Sequence, residues 1–473
     1  MKKYYITTPI YYVNGKPHLG HSYTTIAADV LARYYRSKRK DVFFLTGTDE
    51  HGSKIEECAE KNCITPAQWS DSIVEDFKSL WKRLDISYDD FIRTTEGRHI
   101  KKVQEIFSKL LKQGDIYKGK YSGWYCVACE SYCADSQIVD GNCPDCSKPV
   151  RKIEEESYFF KLTKYQNQLL EYFDKNPDFL QPSWRAAEMV NFVKLGLRDL
   201  SVSRTQVKWG IPVIGDESHT IYVWFDALIN YVSAAEGKDI WPCDIHFVGK
   251  EIFKFHTVIW PAMLMALGMP LPKKVFAHGW WTVNGDKMSK SKNNFVDPNV
   301  FIDKYGSDAY RYFVLKQIPF GQDGDFSETS FNDRYNSDLA NNLGNLVSRT
   351  FSMLNKYSIP GIEPRPDAGT KLGKLIAELP GKFEQSMGKI EFHNCLAHLL
   401  EVIDESNRTI DSEKPWLLFK TDKQKLEKVM ANILAAVAVV AENIGCFMPQ
   451  TAEKIKKIIA EKKVTELLFP RIQ

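Results

Sequence analysis

No stretch of this 473-residue sequence is apolar for long. The longest apolar runs, residues 258–269 and 433–441, fall short of the roughly 20 needed to span a bilayer, so no transmembrane helix is expected. Nor does the start read as a secretory leader. Its apolar residues are broken by Thr7, Thr8, Pro9, Asn14 and Gly15 with no small-residue cleavage site, and no Arg- and Ser-rich transit segment is present. Charge of either sign is not in excess: 63 Lys and Arg against 60 Asp and Glu leave +3, so bulk charge does not announce a nucleic-acid binder. Tandem repeats, low-complexity tracts and a Gly-x-x-x-x-Gly-Lys-Ser/Thr phosphate loop are all missing, so any nucleotide must be cradled another way. A protein of a reducing, cytoplasmic compartment is expected, in which clustered cysteines favour metal over disulfides.

What is present is an ordinary globular composition, 44% hydrophobic and 26% charged, sufficient for about two to four domains. Residues 3–13 are rich in Tyr, Ile, Thr and Val and predict a buried strand. Asn14-Gly15-Lys16-Pro17 is a turn, residues 18–36 have helical spacing, and 41–45 predict a second strand leading into Thr46-Gly47-Thr48-Asp49-Glu50-His51-Gly52. Strand, loop, helix and strand point to a parallel α/β unit with ligand at the strand C-termini. Helices are predicted over 66–84 and 100–113, and strands over 220–225, 245–248 and 274–277. Beyond residue 327 glycine thins and helical periodicity dominates, as at 338–357 and 425–444. The resulting fold class is a Rossmann-type parallel sheet (1–117 and 211–326) split by a cysteine-bearing insert (118–210), followed by an all-α domain (327–473).

Two cationic segments can supply the missing phosphate cradle. His18 and His21, three apart at a helix start, combine ring N–H donors with unpaired backbone N–H groups and the positive end of the helix dipole. Lys287 and Lys290 in Lys287-Met288-Ser289-Lys290-Ser291 are mobile point charges after Asn284-Gly285-Asp286, suited to charge developing on a leaving pyrophosphate. Taken alone, the histidines are equally a pair satisfied by nearby carbonyls, and the lysines a solvated loop.

Cys126-Val127-Ala128-Cys129 and Cys143-Pro144-Asp145-Cys146 form two Cys-x-x-Cys pairs, a pattern suited to tetrahedral Zn²⁺ bound by four thiolates. With all four ligands from protein, no open position remains for a catalytic water, so the zinc is expected to be structural. A redox pair or free cysteines are the alternatives, and Cys133 is a spare thiol nearby.

His18-Leu19-Gly20-His21 resembles the first signature of class I aminoacyl-tRNA synthetases, and Lys287–Ser291 resembles the second letter for letter. The wider set narrows the resemblance to methionyl-tRNA synthetases. It comprises Pro9-Ile10-Tyr11-Tyr12-Val13-Asn14-Gly15, Thr48-Asp49-Glu50-His51-Gly52, Tyr222-Val223-Trp224-Phe225-Asp226-Ala227, Phe255-His256 with Trp260-Pro261-Ala262-Met263, and Lys414-Pro415-Trp416, in that family's order across essentially the whole chain. The resemblance implies that methionine and ATP form methionyl-adenylate and pyrophosphate, and that the methionyl group then passes to the terminal adenosine of tRNA(Met). It implies a methionine pocket of Ile10, Tyr12, Trp224, Tyr231, Phe255 and His256, with Asp49 on the ammonium. Nucleotide contacts are implied for Asn14, Gly20, Gly249, Glu251, His278, Gly279 and Trp281, and phosphate chemistry for His18, His21, Lys287 and Lys290, with Mg²⁺ arriving on ATP. It further implies one zinc knuckle near the tRNA acceptor end, anticodon contacts from Asn345, Arg349 and Trp416, and a monomer, because the tRNA-binding extension of dimeric members is absent. A small-molecule nucleotidyltransferase and a catalytically silent RNA-binding relative are the rivals. The insert and about 140 helical residues weigh against the first, and the intact histidines and lysines against the second.

Overall fold

The structure is a computed structural model that describes residues 3–126, 131–133, 138, 140–144, 147–283, 285–287, 295–357, 359 and 361–472. The chain forms two compact units. The first comprises Met1–Pro17, Tyr35–Trp81 and Ser87–His278; the second comprises His18–Tyr34, Lys82–Ile86 and Gly279–Gln473. Among the described residues no helix is long and apolar enough to cross a membrane.

The first unit is built on a six-stranded sheet whose strands run, edge to edge, Asp90–Arg93, Val42–Asp49, Tyr4–Tyr12, Ile245–Gly249, Val275–His278 and Leu180–Gln181. Every pairing is parallel. Such strands are covered on both faces, which is why Val42–Asp49 and Ile245–Gly249 are buried at every residue. Chain order reverses between Tyr4–Tyr12 and Ile245–Gly249, the switch point at which open α/β sheets bind ligands beyond the strand C-termini. Pro9 lies inside the central strand Tyr4–Tyr12 and cannot donate to a ladder. The register with Val42–Asp49 shifts between Thr7 and Ile10, and the pairing with Ile245–Gly249 is seen at Ile6 and Thr7. This bulge carries Ile10 and Tyr12 past the point where the strand pairs on both sides.

The same unit holds a four-stranded antiparallel sheet in the order Ser131–Cys133, Ile116–Cys126, Arg151–Phe160 and Leu200–Ser201. Its two long members pair from Ile116↔Phe160 to Tyr125↔Arg151. The strand expected at 220–225 is corrected. Asp216–Ile221 is the strand, in a small antiparallel sheet, and Val223–Leu228 is a helix. A six-residue run this apolar is buried in either form, and composition alone cannot separate the two.

In the second unit, the hairpin of Trp281–Val283 and Asp286–Lys287 turns through Gly285 at φ +77, a left-handed conformation that favours glycine. Helices follow at Pro298–Tyr305, Ser307–Lys316 and Glu328–Arg334, running through a π-helical stretch Tyr335–Gly344 into Asn345–Lys356. Among the described residues five more helices follow: Lys371–Gly388, Phe392–Glu413, Pro415–Thr421, Lys423–Ile444 and Pro449–Glu461. Side-chain caps mark several starts, with Ser327, Thr370 and Asp422 accepting from the backbone N–H of Ser330, Gly373 and Lys425.

Candidate active site

In the first unit the strand ends bring together much of the expected amino-acid pocket. Tyr12 is registered beside Asp49 at the ends of neighbouring strands, and the Val13 N–H donates to the Asp49 carbonyl at 3.2 Å. Ile10 and Tyr12 are half-buried against the core cluster that contains Tyr231 and Phe255, with Trp224 also packed on it. Trp224 and Phe255 stack face to face with centroids 3.9 Å apart. Phe255–Ile259 is a π-helical turn, a device over-represented at functional sites and invisible to a search for 3.6-residue periodicity.

Tyr231 and His256 are almost wholly buried, and the Tyr231 hydroxyl lies 2.7 Å from His256 Nε2. His256 Nδ1 lies 3.0 Å from the Ile252 carbonyl, which can only accept, so Nδ1 carries the proton. Burial lowers the imidazole to about 4, opposed by the Ile252 bond, so the ring is neutral at physiological pH and Tyr231 donates to it. The pair offers no charge to a bound side chain. His246, which sequence reasoning missed, lies behind Tyr231 with ring centroids 4.2 Å apart, bonded through Nδ1 to Thr7 Oγ1 at 2.6 Å. Of the expected nucleotide residues in this unit, Gly249 and His278 end neighbouring strands and are buried, whereas Asn14 and Glu251 are exposed.

The second unit holds the histidine corner. The backbone N–H of His18 donates to His21 Nδ1 at 3.1 Å, and that of Gly20 donates to His18 Nδ1 at 3.0 Å. Both Nδ1 atoms therefore accept, which places the proton of each neutral ring on Nε2 as a donor. The rings stack at 3.8 Å. Burial first, and His18 second, push the His21 imidazole well below its ordinary value. A side chain at position 20 would bring its Cβ within 3.0 Å of His18 Cε1, so the spacing His-x-Gly-His answers to a close approach. Gly279 is tighter still, since a Cβ there would sit 2.2 Å from the Gln322 carbonyl. Trp281 is buried among Tyr23, Phe313 and Phe326, a core position. Lys287 contributes backbone to the hairpin, opposite Thr282. Its side chain, and Lys290, lie outside the described residues.

Cys126 and Cys143 are buried in one small cluster with Trp124, Ile138 and Val150. The chain around Cys143 is tightly turned: its N–H donates to the Lys148 carbonyl at 2.8 Å and its carbonyl accepts from Ser147 N–H at 2.9 Å. Cys129 and Cys146 lie outside the described residues. Among the helices, Trp416 is 42% exposed. Arg349 donates to Asp411 on helix Phe392–Glu413 at 2.6 Å, and Tyr357, just past helix Asn345–Lys356, stacks on Phe419 of Pro415–Thr421 at 4.8 Å. Asn345 is exposed on the first turn of Asn345–Lys356.

A family model described as tRNA synthetases class I (M) matches residues 4–154 and 147–351, and one described as the anticodon binding domain of methionyl tRNA ligase matches 361–468. The chain is 51% identical over 468 residues to the methionine–tRNA ligase of Caldanaerobacter subterraneus, covering 96% of this chain and 73% of the relative. It is 46% identical over 478 residues to that of Thermotoga maritima, covering 98% and 76%. Among solved structures, Mycobacterium tuberculosis methionyl-tRNA synthetase in complex with methionyl-adenylate superimposes with a TM-score of 0.93 at 36% identity over the full length of both chains.

Proposed function

The chain belongs to the methionine-specific class I tRNA synthetases, and from that membership we infer how its own residues divide the work of the family's reaction. The reaction is ATP-dependent: methionine and ATP yield methionyl-adenylate and pyrophosphate, and the methionyl group passes to tRNA. No side-chain nucleophile is required, so catalysis consists of positioning and charge stabilisation.

The observation that carries the assignment of roles is the uncharged aromatic cluster in the first unit. A thioether has no charge and little hydrogen-bonding capacity, and sulfur–aromatic contacts favour it. Trp224 stacked on Phe255 gives it a flat wall. Tyr231, committed as donor to neutral His256, gives it a polar yet uncharged floor. Ile10 and Tyr12 complete the lining, and Asp49 at a strand end receives the substrate ammonium. Asn14, Gly249, Glu251 and His278 serve the nucleotide in this unit; Gly20, Gly279 and Trp281 are assigned to it in the other. His18 and His21 donate from Nε2 to phosphate oxygens, and Lys287 and Lys290 add charge as pyrophosphate departs. Magnesium enters with ATP, held mostly by its phosphates.

Two buried cysteines, one from each Cys-x-x-Cys pair, already share a cluster, so Cys126, Cys129, Cys143 and Cys146 fit a structural zinc that would stiffen the insert 118–210. Residues 327–473 read the anticodon, with Trp416 as stacking platform and Asn345 and Arg349 reaching base edges from the adjacent helix. The test is methionine-dependent exchange of pyrophosphate into ATP, run across the amino acids. Exchange driven by methionine alone supports the assignment. A best substrate of isoleucine, leucine, valine or cysteine overturns the pocket, and absence of exchange from folded protein overturns the catalytic roles.

A further inference from the structure

The motifs Thr48-Asp49-Glu50-His51-Gly52 and Tyr222-Val223-Trp224-Phe225-Asp226-Ala227 each lend one residue to the pocket, Asp49 and Trp224. His51 and Asp226, left without a role, are buried against each other in the first unit. Asp226, on helix Val223–Leu228, has no exposed surface, and both of its oxygens are engaged. Oδ2 lies 2.7 Å from His51 Nδ1, and Oδ1 lies 2.6 Å from His99 Nε2. His99, equally buried in helix Gly97–Gln113, is bonded through Nδ1 to Ser233 Oγ at 2.8 Å. Burial alone would raise the Asp226 carboxyl, but the facing His51 and His99 hold it below the usual carboxylate range, so it is ionised and accepts an N–H from each ring.

A buried carboxylate is costly, and its helix does not need it for packing, since Val223, Phe225, Ala227 and Leu228 are all buried. What the carboxylate adds is a tether on the loop after Asp49. That loop is held elsewhere by the Arg93 guanidinium on Glu50, at 2.7 and 2.8 Å, and by Trp209, whose indole N–H donates to the Glu50 carbonyl at 2.5 Å. The Trp209 carbonyl accepts from Gly52 N–H at 2.9 Å. These contacts tie the loop to other parts of the unit. The bond from His51 ties it to the helix that bears Trp224.

We propose that Asp226, acting through His51, is a positioning residue that sets the Asp49 carboxylate in register with the Trp224 shelf, so that ammonium and thioether of one methionine are met together. The inference rests on Asp49 as the ammonium partner. Its test therefore compares methionine with 4-(methylsulfanyl)butanoate, the same molecule without its ammonium, by equilibrium binding to the whole protein. Asp226→Asn keeps the shape but cannot accept from both rings. His51→Leu removes the tether, and His51→Asn places an amide N–H where Nδ1 stood. Asp226→Asn and His51→Leu are expected to weaken methionine about tenfold or more and the desamino acid less than about threefold, with the KM for ATP unchanged. His51→Asn should restore methionine binding. If Asp226→Asn does not fold, the two His51 variants decide. Equal weakening of both ligands, or of neither, overturns the proposal. Asp49→Asn separates the premise: if it leaves the preference for methionine over the desamino acid intact, the ammonium assignment itself falls.

Discussion

At the scale of single residues, the histidines show how burial selects a protonation state. His256 is lowered to about 4 and His21 and His246 well below 6.5, all by burial first. A folded-state value below the unfolded one means that the unfolded chain binds more protons between the two, so stability rises with pH there. We predict that stability is lost progressively as pH falls from about 6.5 toward about 4, and that replacing His256 by Gln flattens part of this slope in denaturant titrations. His256→Ala leaves the Tyr231 hydroxyl without its acceptor and opens space beside the place proposed for the sulfur. The ratio of kcat/KM for methionine over homocysteine, limited in an apolar pocket to about 10–200-fold, should then fall toward unity. Gly20→Ala forces its Cβ against the His18 ring, and a displaced donor costs up to about 100-fold in the exchange rate, with methionine binding unchanged in direct titration.

Elements were legible where their apolar period was long and their ends were marked. The helix expected at 66–84 is Pro66–Arg83, that at 425–444 is Lys423–Ile444, and the strand expected at 3–13 is Tyr4–Tyr12. Where the period was short, burial hid the type, and the segment after Ile221 is a helix rather than the end of a strand. The bulge at Pro9 and the π-turn at Phe255 were not legible as geometry, although both fall on motif residues, because each depends on how neighbouring backbone is satisfied. Of the pocket, residue types pointed to the members, whereas the Tyr231–His256 proton arrangement needed coordinates. Two predictions belong to elements. Trp416→Ala, on an exposed helix start, should lower aminoacylation about 10- to 100-fold while sparing exchange, as expected for a lost stacking platform. With the proposed zinc in place, a chelator should loosen the turn around Cys143, seen as new hydrogen exchange at the Cys143 and Ser147 amides that close it.

The whole molecule is two units, and the second is gathered from three separate stretches of chain. One buried side chain reaches all three of those stretches. Arg311, with no exposed surface, donates to Asp29 at 2.7 Å, to the Leu84 carbonyl at 3.0 Å, and to the carbonyls of Cys446 and Phe447 at 3.0 and 2.7 Å. Removing one partner of such a buried pair costs about 3–5 kcal/mol, so Arg311→Met should lower the unfolding free energy of this unit by that order in chemical denaturation. The clasp also bears on how the gene can be cut. A shortened polypeptide ending ahead of Cys446 would retain all the lettering of both nucleotide signatures, yet rob the guanidinium of two oxygens and slacken helix Leu19–Ser37, which bears Asp29 and has His21 in its first turn. The tail is therefore not cargo to be dropped at will: trimming it should dull amino-acid activation even in assays from which nucleic acid has been left out.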